Sequence, residues 1–269
     1  MLLLQHGMKC LTLLSDLGLT DASVAIAKGI LIQYTTDVSI IDISHTVAPY
    51  HLQQAAYLLA NAYRHFPSGT IHVILFNVFS EKEPRMILCE QDGQYFIAPD
   101  NGVLSLAVNS NHKPIWNCLD AGKDKQFVHW LHRTGEIISL IQRNEHVQLT
   151  ECEMKHAPLH WLPSINENGL ECHVIHIDHF GTVVLNITQT QFEAARNGRQ
   201  FYIEFARKER VSEVSHHFSD LTPGSKLCRF NAAGYLEIGV SQGDAAGLFG
   251  LRLYQQHHLI YNTIKIRFE

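Results

Sequence analysis

The sequence has no C-x-x-C pair, no G-x-G-x-x-G or G-x-x-x-x-G-K-[ST] loop, no H-E-x-x-H helix and no long run of one charge sign. Each absence removes a class of function. The six cysteines, Cys10, Cys89, Cys118, Cys152, Cys172 and Cys228, are scattered through the chain. Most sit in apolar runs, which reads as reduced, buried thiols rather than a disulfide framework. Without a glycine-rich loop after the first strand, a phosphate cradle is not supported. A formal net charge of -5 provides no basic face for a nucleic-acid backbone. No apolar run approaches the length of a membrane span, so neither nucleic acid nor membrane is expected as a partner. The opening "MLLLQHG" is too short and lacks the basic flank of a secretory leader, and Met8 is expected to open the folded part. These features point to a cytoplasmic protein. No internal repeat and no low-complexity segment is visible.

What is present is enough apolar material for a real core: 46% hydrophobic residues in 269. The first half alternates strand and helix signals. "KCLTLLS", "DVSIIDIS" and "GTIHVILFNV" read as strands; residues 23–34 and "HLQQAAYLLANAYRHF" read as helices, the second stopped by Pro67 and Gly69. "RMILCEQDGQYFIAPDNG" reads as a hairpin turning at Asp92-Gly93, and "GVLSLAV" as a short helix or strand. This alternation predicts an α/β domain over residues 8–160 with a mostly parallel central sheet. The second half reads as a smaller all-β, barrel-like domain over residues 170–269. "ECHVIHIDHFGTVVLNI", "RQFYIEFARKERVSEV", "GYLEIGV", "LFGLRLYQ" and "IYNTIKIRFE" are strand-rich, and "TQTQFEAARNG" is its main helix signal. The junction falls near "HAPLHWLPSINENGLE", rich in Pro, Asn and Gly.

In open α/β sheets ligands bind beyond the carboxyl ends of the strands. Three such ends here carry polar clusters: Asp16, Asp21 and Ser23 after the first strand, His45, Tyr50 and His51 after the second, and Asn77, Ser80 and Arg85 after the third. The plain alternative for each is helix capping, with Asp21 or Ser23 as N-cap and Asp16 as a turn former. Acidic groups at this position suit a cation or the vicinal hydroxyls of a ribose, which a carboxylate binds through charge-assisted hydrogen bonds.

"LLSDLGLTDASVAIAKGIL", "VSIIDISHTVAPYHLQQAAYLLANAYRHFPSGTIHVIL", "YFIAPDNGVLS", "IDHFGTVVLNI" and "GYLEIGVSQGDAAGLFGL" occur in this order. Together they resemble the S-adenosylmethionine hydroxide adenosyltransferases, relatives of the fluorinases and chlorinases. The resemblance covers nearly the whole chain. It implies a homotrimer with sites at subunit interfaces, and S-adenosylmethionine as substrate without a further cofactor or metal. It also implies nucleophilic attack at C5′ that releases methionine, water giving adenosine. Asp16 then falls on the ribose hydroxyls, Asp21 and Ser23 near the methionine end, Tyr50 beside the sugar and Asp178 near the methionine ammonium.

The nucleophile corner departs from the family pattern. The family's "DPGVG" loop, whose aspartate sits by the attacking water, is "NVFSEKEPR" here, and the aspartate position is Asn77. The arginine falls to Arg85 in a loop one residue longer. The histidine of "TFHGRD" falls to His132 in "WLHRTGE", with His129 the alternative. Thr182 replaces the asparagine after "FG", and Ala232 replaces the serine of "NSxGYLE"; Asn186 and Asn231 are kept. Three functions follow. One is a hydrolase with a rearranged water site using Arg85 and His132. One is a chlorinase-like halide user, with Ser80 donating to the halide. The third is a non-catalytic descendant that binds a nucleoside or S-adenosylmethionine.

Eighteen histidines raise a metal alternative. His129 and His132 share a helix face at their spacing, but His173 and His176 on a strand point to opposite sides, which breaks a converging ligand set.

Overall fold

The computed structural model describes residues 10–108, 114–120, 126–145, 149–157, 162–204, 210–253 and 263–269. The expected start at Met8 lies outside the described residues. The chain divides into two compact units, residues 1–157 and 158–269.

The first unit is built on β1 (Cys10–Ser15), β2 (Ser39–Ser44), β3 (Ile71–Leu75), β4 (Arg85–Gln91), β5 (Gln94–Pro99), β6 (Ile115–Asp120) and β7 (Thr150–Cys152). Their order in the sheet is β2-β1-β3-β5-β4-β6-β7. The first four are mutually parallel and the last three antiparallel, so the sheet is mixed with a parallel core. Every residue of β1, β3 and β5 is buried, as expected for strands covered on both faces. Leu11, Leu13, Ile71 and Val73 face α1 (Ser23–Ile32) and α4 (Phe127–Gln142). The alternate positions face the other way. There, Tyr63 of α2 (Leu52–Tyr63) meets His72 and Phe96 edge-on, and α2 packs on α3 (Val103–Ala107).

The β4–β5 hairpin turns at Asp92-Gly93, both with positive φ, which suits the twist of the two strands. Helix α4 passes so close to Tyr34 that a Cβ on Gly135 would stand 2.2 Å from the ring, so glycine is required there.

The second unit contains β8 (Ser164–Asn166), β9 (Gly169–Ile177), β10 (Val183–Thr188), α5 (Gln189–Arg196), β11 (Phe201–Glu204), β12 (Arg210–Val211), β13 (Lys226–Phe230), β14 (Tyr235–Val240), α6 (Ala245–Phe249) and β15 (Thr263–Phe268). Its strands pair antiparallel in the order β12-β11-β15-β9-β10-β14-β13, with β8 added on β9. A bridge from Val214 to Cys228 brings the segment after β12 against β13, which curls the sheet toward a barrel. Phe192 of α5 is fully buried in its core, and a Thr188–Gln191 capping box starts that helix.

Two local expectations change. "LFGLRLYQ" is not a strand where it is described: Leu248 and Phe249 end α6, Gly250 is its left-handed cap, and residues 251–253 form no element. Asp244 accepts from the Gly247 amide at 2.8 Å and starts that helix, so cap chemistry overrides the apolar pattern. At α1 the N-cap is Ala22, not Asp21 or Ser23; Asp21 acts one residue earlier by accepting from the Ser23 amide.

Candidate active site

The parallel core delivers the ends of β1, β2, β3 and β5 to one edge of the sheet. Asp16 follows β1 directly. Its Oδ2 accepts from the Asn77 backbone amide at 3.1 Å, tying the end of β1 to the end of β3. Burial raises the Asp16 pKa, opposed by that amide and by its own. Asp21 is exposed, and its Oδ1 accepts from the Ser23 amide at 2.8 Å. Hydrogen bonds from the Ser23 amide and hydroxyl hold it below the usual carboxylate range. Two carboxylates five positions apart in one loop are therefore tuned in opposite directions.

The loop after β2 presents Tyr50, 80% exposed and at φ 63. A bulky residue in the left-handed region is strained and must be held by its surroundings. Next to it, His51 caps α2, its Nδ1 accepting from the Gln54 amide at 3.1 Å. Each cluster thus begins or braces a helix and faces the strand ends as well.

The loop after β3 opens with Asn77 at φ 49, a conformation asparagine tolerates better than most residues. The family-like glycines are absent, and Asn77 takes the left-handed position itself. Ser80 is exposed, with its amide bonded to the Asn77 carbonyl at 3.2 Å. Arg85 binds Asp100: Nε and Nη2 stand 2.7 and 2.6 Å from Oδ2, and Nη2 also donates to the Glu153 carbonyl. The Asp100 side chain is fully buried, and its Oδ1 accepts from the Lys155 amide at 2.8 Å. Lys155 Nζ pairs with Glu81 of the same loop. Asn101 donates to the Phe76 carbonyl at 3.0 Å, and Gly102 leaves room for the Ala157 backbone. "APDNG" is therefore the hub on which the loop after β3 and residues 153–157 are anchored. Sequence reasoning did not assign Asp100 or Lys155, because their partners lie 15 and 74 positions away.

His132 lies on α4, where its Nδ1 is 2.9 Å from the Tyr34 hydroxyl. Trp130 of the same helix meets Phe79 edge-on near the end of β3, while Gln142 binds Thr36 beyond the far end of α1. Helix α4 thus runs from the strand ends toward the opposite edge of the sheet. His129 is exposed on its first turn. The contacts of the three catalytic candidates go to three different partners: Asn77 to Asp16, Arg85 to Asp100 and His132 to Tyr34. Asp16 and Asn77 are brought together, and Arg85 lines a small cavity with Val78, Ser80 and Asn101, while His132 contacts Tyr34.

In the second unit, Asp178 braces the β9–β10 turn, Oδ1 accepting from the Phe180 and Thr182 amides at 2.9 and 2.8 Å. Thr182 is buried, and Phe180 beside it is 77% exposed. Asn231 braces the β13–β14 turn by accepting from the Ala233 and Tyr235 amides, each at 3.0 Å. Asn186 accepts from the His173 amide at 2.7 Å. Glu237, unassigned from the sequence, is buried beside Arg229 at 3.0 Å; burial raises its pKa and Arg229 opposes this. Among the described residues, no three His, Cys, Asp or Glu side chains stand together to hold a metal. No helix there is long and apolar enough to cross a membrane.

An (R)-S-adenosyl-L-methionine hydrolase of Methanocaldococcus jannaschii is 25% identical over 274 residues, covering 93% of this chain and 95% of the relative. One from Salinispora tropica is 26% identical over 252 residues, covering 88% and 92%. A fluorinase of Nocardia brasiliensis is 28% identical over 121 residues, 36% of this chain and 40% of that one. An uncharacterized conserved protein from Thermotoga maritima shares the fold, with a TM-score of 0.72 at 24% identity over 96% of this chain and 99% of that one. Residues 11–133 match the SAM hydroxide adenosyltransferase N-terminal domain and residues 172–257 the C-terminal domain, so the chain belongs to the SAM hydroxide adenosyltransferase family.

Proposed function

We propose that this protein cleaves S-adenosylmethionine with water at C5′, giving adenosine and methionine. The observation that carries the reading is the Asp16–Asn77 contact, which sets a partly buried carboxylate at the parallel strand ends. In this reading Asp16 accepts from the ribose hydroxyls, Asp21 and Ser23 meet the methionine end, and Tyr50 borders the sugar. Asp178, Thr182 and Asn231 supply the second unit's share of the ligand within a homotrimer. The configuration at sulfur is R, as in the names of the full-length relatives.

The chemistry asks little of an acid. A new bond forms between water oxygen and C5′, the C5′–S bond breaks, and its electron pair returns to sulfur as the neutral thioether of methionine. The sulfonium needs no protonation to leave. Alignment of water behind the C5′–S bond is the main requirement, and placing reacting groups in line contributes about 7–11 kcal/mol in favourable cases. One proton must still leave the attacking water. Asn77 cannot take it, and a general base typically contributes about 10²–10⁴-fold, so turnover is slow.

The engagement of Arg85 by Asp100 and of His132 by Tyr34 favours a second reading, a nucleoside or S-adenosylmethionine binder without turnover. Mass spectrometry of the protein incubated with S-adenosylmethionine separates the two. Adenosine and methionine above the buffer background support the hydrolase. Thermal stabilisation by adenosine with no product supports the binder, and neither effect rejects both.

A further inference from the structure

Ser15, His45 and Asp42 form a chain of contacts beside the Asp16 turn. Ser15 Oγ stands 2.7 Å from His45 Nδ1. His45 Nε2 is buried and stands 3.1 Å from Asp42 Oδ1, an ion-pair distance without hydrogen-bond alignment, and Asp42 Oδ2 is 2.6 Å from Lys28 Nζ. The residue types are those of a serine hydrolase triad. Ser15, however, has no exposed surface, so no substrate reaches its hydroxyl.

The chain has a direction. Lys28 only donates. Burial would raise the Asp42 pKa, but the Lys28 ammonium and the neighbouring His45 ring outweigh it, so Asp42 is an acceptor. A lone pair on Nε2 would face the Asp42 carboxylate, so the ring proton sits on Nε2 and Nδ1 accepts from the Ser15 hydroxyl. The Ser15 oxygen keeps its lone pairs for the Leu17 amide at 3.4 Å. His45 also offers its carbonyl to the Gly18 amide at 2.7 Å. Asp16 sits between these anchors, so the turn that carries it is tied back to His45 by two routes. An apolar pair would fill the same space without fixing an orientation. A buried, directed polar chain does fix one, as hydrogen-bonded partners do behind metal-binding and catalytic groups.

We infer that His45, held in one tautomer by Asp42, is a positioning residue that sets the Asp16 turn through Ser15, so that the Asp16 carboxylate meets a sugar diol in one orientation. The diol rests on the function proposed above; the positioning does not.

The test is Asp42→Asn. Because Lys28 only donates, the amide oxygen stays with Lys28 and its NH₂ turns to His45 Nε2. The ring proton then moves to Nδ1, and the Ser15 hydroxyl must accept and turn its hydrogen away. Heteronuclear NMR of the imidazole nitrogens is expected to show the Nε2–H tautomer in the wild type and Nδ1–H in the variant. Amide exchange at Gly18 and Asn77 is expected to accelerate. Adenosine affinity by calorimetry is expected to fall about tenfold, the lower end of what such supporting partners contribute. Asp42→Glu restores all three readouts, and Ser15→Ala repeats the loss without moving the tautomer. An Nδ1–H wild type overturns the inference. So does an Asp42→Asn variant that switches tautomer while Gly18 and Asn77 exchange stays as in the wild type. If wild-type protein gives no heat with adenosine, the nucleoside reading fails. Asn77 exchange then decides positioning alone: faster exchange in Asp42→Asn upholds it and unchanged exchange overturns it.

Discussion

The carboxylate of Asp16 and the backbone amide of Asn77 meet at 3.1 Å, joining two strand ends that are 61 positions apart in the chain. Residue 77 contributes its backbone to the Asp16 corner, so its side chain can be changed while that contact is kept. The ribose end and the nucleophile end of the proposed pocket are therefore linked at one residue, and they can be altered separately.

Asp16→Asn removes the charge and keeps the shape. A hydrogen bond to a charged group contributes about 1.5–3 kcal/mol, so adenosine affinity falls about ten- to hundredfold while the melting temperature stays close to wild type. Because burial raises the Asp16 pKa, wild-type affinity weakens on acidification from above the ordinary aspartate range. Calorimetric titrations across that range, with Asp16→Asn as the pH-independent control, check both statements.

Asn77→Asp returns a proton acceptor to the nucleophile corner. Aspartate also tolerates the left-handed backbone at φ 49, so the loop is retained. Turnover rises at least about tenfold, a small part of the usual general-base contribution. Unchanged initial rates of adenosine formation would locate the limitation in Arg85 and His132 instead.

Asp100→Asn leaves the Arg85 guanidinium without its charge partner at a buried side chain. Breaking a buried pair by removing one member is expected to destabilise by about 3 kcal/mol, discounted toward about 2 because Arg85 is partly exposed. Urea unfolding monitors it. Releasing the loop after β3 also exposes residues 78–84 to faster proteolysis than in the wild type.

His72 gives the fold a sign-defined pH dependence. It is buried between Thr12 Oγ1 at 2.7 Å and Gln94 Oε1 at 2.8 Å, and stacks on Phe96 at 4.8 Å. Burial lowers its pKa to about 4, which the Gln94 bond opposes. The unfolded chain, with an ordinary histidine near 6.5, binds the proton first. The stability from neutral His72 is thus complete above the unfolded value and is lost as pH falls from there toward about 4. The full loss is about 3 kcal/mol. Unfolding free energies measured across this window fall for the wild type, and His72→Gln flattens this part of the profile.

The fold was legible where local chemistry and global packing agree. β1 is buried at every position because helices cover both faces, and Asp92-Gly93 marks the β4–β5 hairpin because both residues have positive φ. The Asp16 and Asn77 corner was legible because parallel strands deliver their ends to one edge. "LFGLRLYQ" misled because Asp244 and Gly250 start and end a helix through cap chemistry that an apolar count does not register. The setting of Arg85 and His132 was not legible. Asp100 and Tyr34, which hold them, lie 15 and 98 positions away, and nothing near either residue in the chain marks such a partner. Ser15 was hidden for the opposite reason: it sits inside a recognisable motif whose carboxylates drew the functional reading, and His45, noted at the second strand end, lies 30 positions from it.

The most direct measurement of the central claim is the oxygen source of the product. Wild-type protein incubated with the R epimer of S-adenosylmethionine in heavy-oxygen water is predicted to release methionine. The adenosine released with it carries one heavy oxygen at the 5′ position, and Asp16→Asn forms it far more slowly. Release of adenosine or methionine no faster than in buffer alone, or adenosine without the heavy oxygen, would contradict the account.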